Sequence, residues 1–250
     1  FLSSKINAVV RAFFMILVGL VLVPLHAATL SVAAGGSIQS AIDQAQPGDV
    51  VEVARGYYPE NLVIRKTIVL RGIDRPTVSG SLKGNTISVE ATDVVIEGLI
   101  VSDSGDDLLA QNAGIYIYPG SHRAIIKNNF LSYNLFGLWI EKAEDAQVLS
   151  NNITGMRDHD SAQRGNGVQL YNTTGAKIIG NEISFVRDAL YIDVSHHAIF
   201  QKNKLHDSRY GTHYMNSYFN VWEDNDTWNN QAGLALMEVR SQIIRNNRSW

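Results

Sequence analysis

A five-residue pattern that opens on a small residue recurs six times in the second half of this chain, and repetition at that period leaves few folds open. The copies are Gly114-Ile-Tyr-Ile-Tyr118, Gly137-Leu-Trp-Ile-Glu141, Gly167-Val-Gln-Leu-Tyr171, Ala189-Leu-Tyr-Ile-Asp193, Gly211-Thr-His-Tyr-Met215 and Gly233-Leu-Ala-Leu-Met237. Their starts are 23, 30, 22, 22 and 22 residues apart. Asn128, Asn151, Asn181, Asn203, Asn225 and Asn247 keep the same phase, fourteen residues after each start.

Each unit holds two or three short β-branched and apolar stretches parted by Asn, Gly, Asp and Ser, with no helical stripe. A unit this small cannot bury a core alone. Coiled so that equivalent strands lie parallel, about 4.8 Å apart, the units satisfy one another's backbone hydrogen bonds. The fold class expected is therefore all-β, a right-handed parallel β-helix. The asparagine column reads as structural, tolerating left-handed backbone at a corner while its amides bond from turn to turn. One amphipathic helix, Ser37 to Gln46, precedes the regular turns, with Ser37 as N-cap and Pro47-Gly48-Asp49 as its stop. It would cap the open end of the sheets. Opening on Phe1 rather than Met, the chain reads as a fragment, and with no cap after Asn247 it reads as a solenoid truncated at its C-terminal end.

Lys5 and Arg11, the apolar run from Ala12 to Val23, and the small residues around Ala27 predict an export signal over residues 1–27, leaving a β-helix domain over 28–250. Its removal takes away two bases and no acid, so the net charge moves from −3 to −5. An acidic chain without basic runs argues against nucleic acid as partner. With no cysteine, disulfides, thiolate nucleophiles and Cys-based metal sites are excluded.

Side chains alternate along each strand, so positions two and four of the pattern, from Ile115/Ile117 to Leu234/Leu236, form an interior column. The other positions face out as two ladders. One carries Tyr116, Trp139, Gln169, Tyr191, His213 and Ala235; the other carries Tyr118, Glu141, Tyr171, Asp193, Met215 and Met237. An aromatic face of this kind reads as a binding surface. Met215 and Met237 are neighbours on adjacent turns, and His213 shares their face at i, i+2 from Met215. One imidazole and two thioethers suit Cu(I), whereas Ca or Mg would need a nest of oxygens. The seven extra residues between Gly137 and Gly167 form a loop that brings Met156 and His159 forward as further candidate ligands. Asp103 to Asp107 reads as a second flap or a weak calcium loop. His196-His197, His122 and His206 read as turn residues. Arg187 and Arg209 read as an anion-binding pair or as corner packing against Asp188 and Tyr210.

The segments Arg164-Gly-Asn-Gly-Val-Gln-Leu-Tyr-Asn172, Arg187-Asp-Ala-Leu-Tyr-Ile-Asp-Val-Ser-His-His197 and above all Ser208-Arg-Tyr-Gly-Thr-His-Tyr-Met-Asn-Ser217 resemble the NosD family. The Gly48-Asp49 to Gly72 opening is shared by many pectin-lyase-like helices. The resemblance implies a periplasmic, non-enzymatic copper-handling protein. Such a protein works with ABC transporter subunits and a copper chaperone lipoprotein to build the copper-sulfide centre of nitrous oxide reductase, reaching the membrane only through those partners. It agrees with the ladder reading at His213 and Met215. Where this chain has Gln169, the family usually has His.

A second reading is a carbohydrate-active β-helix, a lyase, hydrolase or epimerase. Aromatic faces stack on sugars, and Glu141 and Asp193 stand two turns apart as a candidate carboxylate pair. The Asp158-His159-Asp160 loop would supply a base. In a third, the face docks another protein through its aromatic anchors.

Overall fold

The structure, a computed structural model, describes residues 27–250. The expected leader therefore lies outside the described residues, apart from Ala27. Short strands coil into three parallel sheets of ten, eight and nine strands. In a typical turn the chain passes through Ile125–Lys127, Phe130–Ser132 and Phe136–Glu141, one strand in each sheet, before Gln147–Leu149 begins the next turn on top of the first. Every paired strand is parallel to its neighbour, and one apolar core runs along the axis. This is the expected parallel β-helix.

The register follows the repeat. In the eight-stranded sheet Tyr191 pairs with His213 and His213 with Ala235; Asp193 pairs with Met215 and Met215 with Met237. Ile115, Leu138, Val168, Leu190 and Thr212 all point into the core and are buried. The small residue that opens each pattern has a steric cause: a β-carbon at Gly211 would lie 2.5 Å from the Gly233 carbonyl oxygen.

The asparagine column needs one correction. The first rung is Asn129, not Asn128, because the first interval of the repeat is 23 residues. Asn129, Asn151, Asn181, Asn203, Asn225 and Asn247 stack at the corner between the ten- and nine-stranded sheets. The left-handed backbone belongs to the residue before each rung: Asn128, Ser150, Gly180, Lys202, Asp224 and Asn246. Corner conformation and amide ladder are thus adjacent positions, and asparagine is required only for the second.

The helix runs Ile38–Gln44 with Ser37 as its N-cap, and Ser40 N–H donates to the Ser37 hydroxyl oxygen. Ile38, Ala41 and Ile42 are buried against the first turns. Both helix ends are satisfied from the turn beneath. The Glu60 carboxylate accepts from the N–H groups of Ile38 and Gln39, and Lys66 Nζ donates to the carbonyls of Asp43 and Ala45. These charges oppose the helix dipole with the favourable sign. Among the described residues no helix is long and apolar enough to cross a membrane.

Ion pairs bridge turns on the outside. Glu97 sits between Arg71 at 2.6 Å and Lys127 at 2.8 Å. Burial works to raise its carboxyl pKa, but Lys127 and Arg71 outweigh it and hold the value below the ordinary one. A carboxyl depressed on folding stabilises the fold above its unfolded-state pKa, and that stability is lost as pH falls through the folded value. Glu97→Gln is therefore expected to shrink the loss of Tm on acidification below about pH 4. An unaltered acid limb, measured by thermal melts at stepped pH, would show that the pair contributes nothing.

Candidate metal centre

The outward ladders of the eight-stranded sheet are less exposed than the alternation alone implies. Tyr116, Trp139, Gln169 and His213 are buried, as the flanking segments fold over them. Met156 packs with Ala113, Tyr116, Leu135, Phe136 and Trp139 in a second apolar cluster outside the axis. What remains open is a groove of about 400 Å³ with Phe136, Trp139, Tyr171 and Tyr191 as aromatic walls and Gln169, Arg187 and His213 along it. The loop from Asp103 reaches it through Gln111. The aspartates of that loop are engaged by the chain itself. Asp103 accepts from the Ser79 and Ser102 hydroxyls, and Asp107 accepts from the N–H groups of Leu109 and Ala110, which favours the flap reading over a calcium loop.

His213 lines the groove, and Met215 and Met237 line a neighbouring hollow on the same face. His213 Nε2 lies 3.5 Å from Met237 Sδ, one turn on, and Met215 stands in register beside Met237. Tyr191 O–H donates to Met215 Sδ over 2.7 Å, and the Tyr191 ring meets the His213 ring edge-on at 4.7 Å. Burial raises the Tyr191 phenol pKa, helped by the charges of Asp193 and Asp188, so the hydroxyl stays a donor. Met237 is half exposed, which leaves the cluster open to solvent on one side.

The two loop candidates are placed elsewhere. Met156 is buried in the apolar cluster, and His159 is exposed, with its backbone carbonyl accepting from Arg164 Nε. Neither lines the groove or the hollow at Met215 and Met237. The reason is local: a methionine in a loop that closes over Phe136 and Trp139 gains more from apolar contact than from exposure.

Other histidines are committed to the scaffold. His122 Nδ1 accepts from Glu144 N–H, and His196 Nδ1 accepts from Tyr218 N–H. His206 Nδ1 meets Asp207 Oδ2 at 2.6 Å while its ring stacks on Trp228. His196 and His197 stack on Tyr218 and Phe219, each one turn above. Among the described residues no three His, Cys, Asp or Glu side chains converge. One imidazole nitrogen with two sulfurs is a donor set that fits soft Cu(I) and not a hard cation.

Gln169 Oε1 accepts from Asn166 Nδ2 at 2.7 Å, which ties that rung to the loop. The carboxylate pair keeps its expected register through Tyr171. Glu141, however, is taken by Tyr116 O–H at 2.6 Å and Lys142 at 2.9 Å. Burial tends to raise its carboxyl pKa, and these two donors outweigh it and hold the group ionised. It does not line the groove.

Alternation pointed to the ladders but not to Asp188, which is fully buried and carries His213, with Oδ2 3.1 Å from His213 Nδ1. Arg209 grips the same carboxylate with Nε at 2.8 Å and Nη2 at 2.5 Å. Corner packing is thus the outcome for Arg209, whose guanidinium also lies over Tyr210 at 4.6 Å. The sequence signal for Asp188 was present, since Tyr210 is one 22-residue turn from Asp188 and Arg209 is its neighbour.

Fold and site together define a parallel β-helix that presents a histidine and two methionines across adjacent turns of one outer face. Residues 149–250 match the family model described as NosD, periplasmic copper-binding protein. A probable ABC transporter binding protein NosD of Stutzerimonas stutzeri is 34% identical over 133 residues, covering 53% of this chain and 30% of that protein. The protein of the same description from Pseudomonas aeruginosa is 33% identical over 136 residues, covering 54% and 32%. These matches bear out the NosD resemblance, and they span about a third of those relatives' length. Among solved structures, pectate lyase Pel9A aligns with a TM-score of 0.66 at 12% identity, over 88% of this chain and 79% of that one. A mutant of the periplasmic alginate epimerase AlgG aligns at 0.57 and 13%, over 88% and 55%. At such identities the likeness is one of fold alone.

Proposed function

We propose that this chain is a periplasmic, non-enzymatic copper-binding module that takes Cu(I) between His213 Nε2 and the thioethers of Met215 and Met237. The observation that carries the reading is the approach of His213 Nε2 to Met237 Sδ across a turn, with Met215 on the adjoining rung. A site of few, mostly soft donors with one open side suits an ion that must leave as well as arrive. The family description supports copper and the periplasm, and the relatives' names support an ABC transporter as partner. In this reading the ion is cargo, relayed with a copper chaperone lipoprotein toward the copper-sulfide centre of nitrous oxide reductase. Anaerobic Cu(I) titration against a competing chelator is expected to show one ion bound per chain, with little uptake of Ca or Mg. Failure to compete for Cu(I) at any chelator concentration would overturn the proposal.

A further inference from the structure

The copper reading leaves a question of orientation, because an imidazole can ligate through Nε2 only when that nitrogen carries the lone pair. Asp188 answers it. Its carboxylate has no exposed surface, and it lies one turn before His213 at the head of the strand Asp188–Asp193. A buried carboxylate is costly unless it is paired, and Arg209 pairs with it through two parallel hydrogen bonds. Asp188 N–H in turn donates to Asn166 Oδ1 at 3.1 Å, which anchors the backbone beneath the carboxylate.

An ionised carboxylate is acceptor-only, so the ring nitrogen facing Asp188 Oδ2 must be the one that carries hydrogen. That nitrogen is Nδ1. In the neutral ring the lone pair then falls on Nε2, the nitrogen that faces Met237 Sδ. Tyr191 and Tyr210 meet the ring edge-on at 4.7 and 5.3 Å and restrict its rotation. We propose that Asp188 is the positioning residue of this site, holding His213 as the Nδ1–H tautomer with its Nε2 lone pair aimed at the methionines. Arg209 holds the carboxylate in place through its two hydrogen bonds. The consequence for metal binding rests on the copper reading; the tautomer does not.

Long-range 15N–1H correlations on the metal-free protein, under mildly alkaline conditions, are expected to show His213 as Nδ1–H. An Nε2–H ring in the wild type would overturn the proposal. Asp188→Asn keeps the size of the side chain but offers an amide donor to Nδ1, so His213 is expected to shift toward Nε2–H, with Cu(I) affinity falling about 10- to 100-fold. A folded Asp188→Asn protein with the wild-type tautomer and affinity would also overturn it. Should that variant fail to fold, the wild-type spectrum still decides. Absence of Cu(I) uptake by a wild type whose His213 is Nδ1–H would sink the copper reading and leave the Asp188–His213 pairing standing.

Discussion

Replacing His213 and Met215 together by alanine is expected to weaken Cu(I) binding by at least about 100-fold, more than the loss of an outer partner of a metal ligand costs. In the proposed site the double variant removes two of three donors and leaves Met237 alone and half exposed. One thioether gives a soft ion no preference over the competing chelator. The fold should survive, because both residues lie on the outer ladders while Thr212 and Tyr214 between them fill the core. Circular dichroism and the melting curve should therefore stay close to wild type while the titration changes. Met156→Leu and His159→Ala are expected to leave the affinity unaltered, since their side chains sit in the apolar cluster and at the exposed loop. An unchanged affinity in the double variant would remove the ligand assignment.

Asn181→Ala is expected to lower the stability of the chain by about 3–5 kcal/mol, among the largest effects for a single replacement. The Asn181 amide donates to Val148 O at 2.8 Å and Asn203 Oδ1 at 3.1 Å, and its oxygen accepts from the N–H and Nδ2 of Asn151 at 2.9 and 3.1 Å. All four bonds are buried. Alanine leaves the Val148 carbonyl and two Asn151 donors without their partner, at about 1–3 kcal/mol for each buried polar group left unsatisfied. Replacement of the neighbouring Gly180, whose positive φ is shared by lysine and aspartate at the equivalent corners, should cost less. Chemical denaturation of the two variants side by side tests the distinction. A loss below about 1 kcal/mol for Asn181→Ala would mean that water takes over the ladder.

The repeat carried most of the fold. A period of 22 residues with alternating apolar positions placed the interior column correctly from Ile115 to Tyr214, and it put Met215 beside Met237 because parallel register preserves sequence phase. Two things were not legible. Burial of Tyr116, Trp139 and Gln169 depends on loops folding back over the sheet, and periodicity says nothing about where an irregular segment lands. For the same reason Met156 read as a reaching ligand when it is packing. Asp188 read only as a corner partner of the arginines, and its contact with His213 was not legible because it stands at the strand's first position, outside the alternating ladders.

The amide ladder crosses the long interval between Asn151 and Asn181 with Asn151 N–H at 2.9 Å from Asn181 Oδ1, close to the 3.0 Å of the 22-residue step that follows. The 30-residue interval leaves the strands on either side of it in register. The spacing between donors is therefore independent of the loop that partly covers the groove. Selection, or an engineer, can lengthen, shorten or exchange the visor over Trp139 and Gln169, and so change what is admitted, while the register of His213 and Met215 against the next turn stays as the backbone sets it.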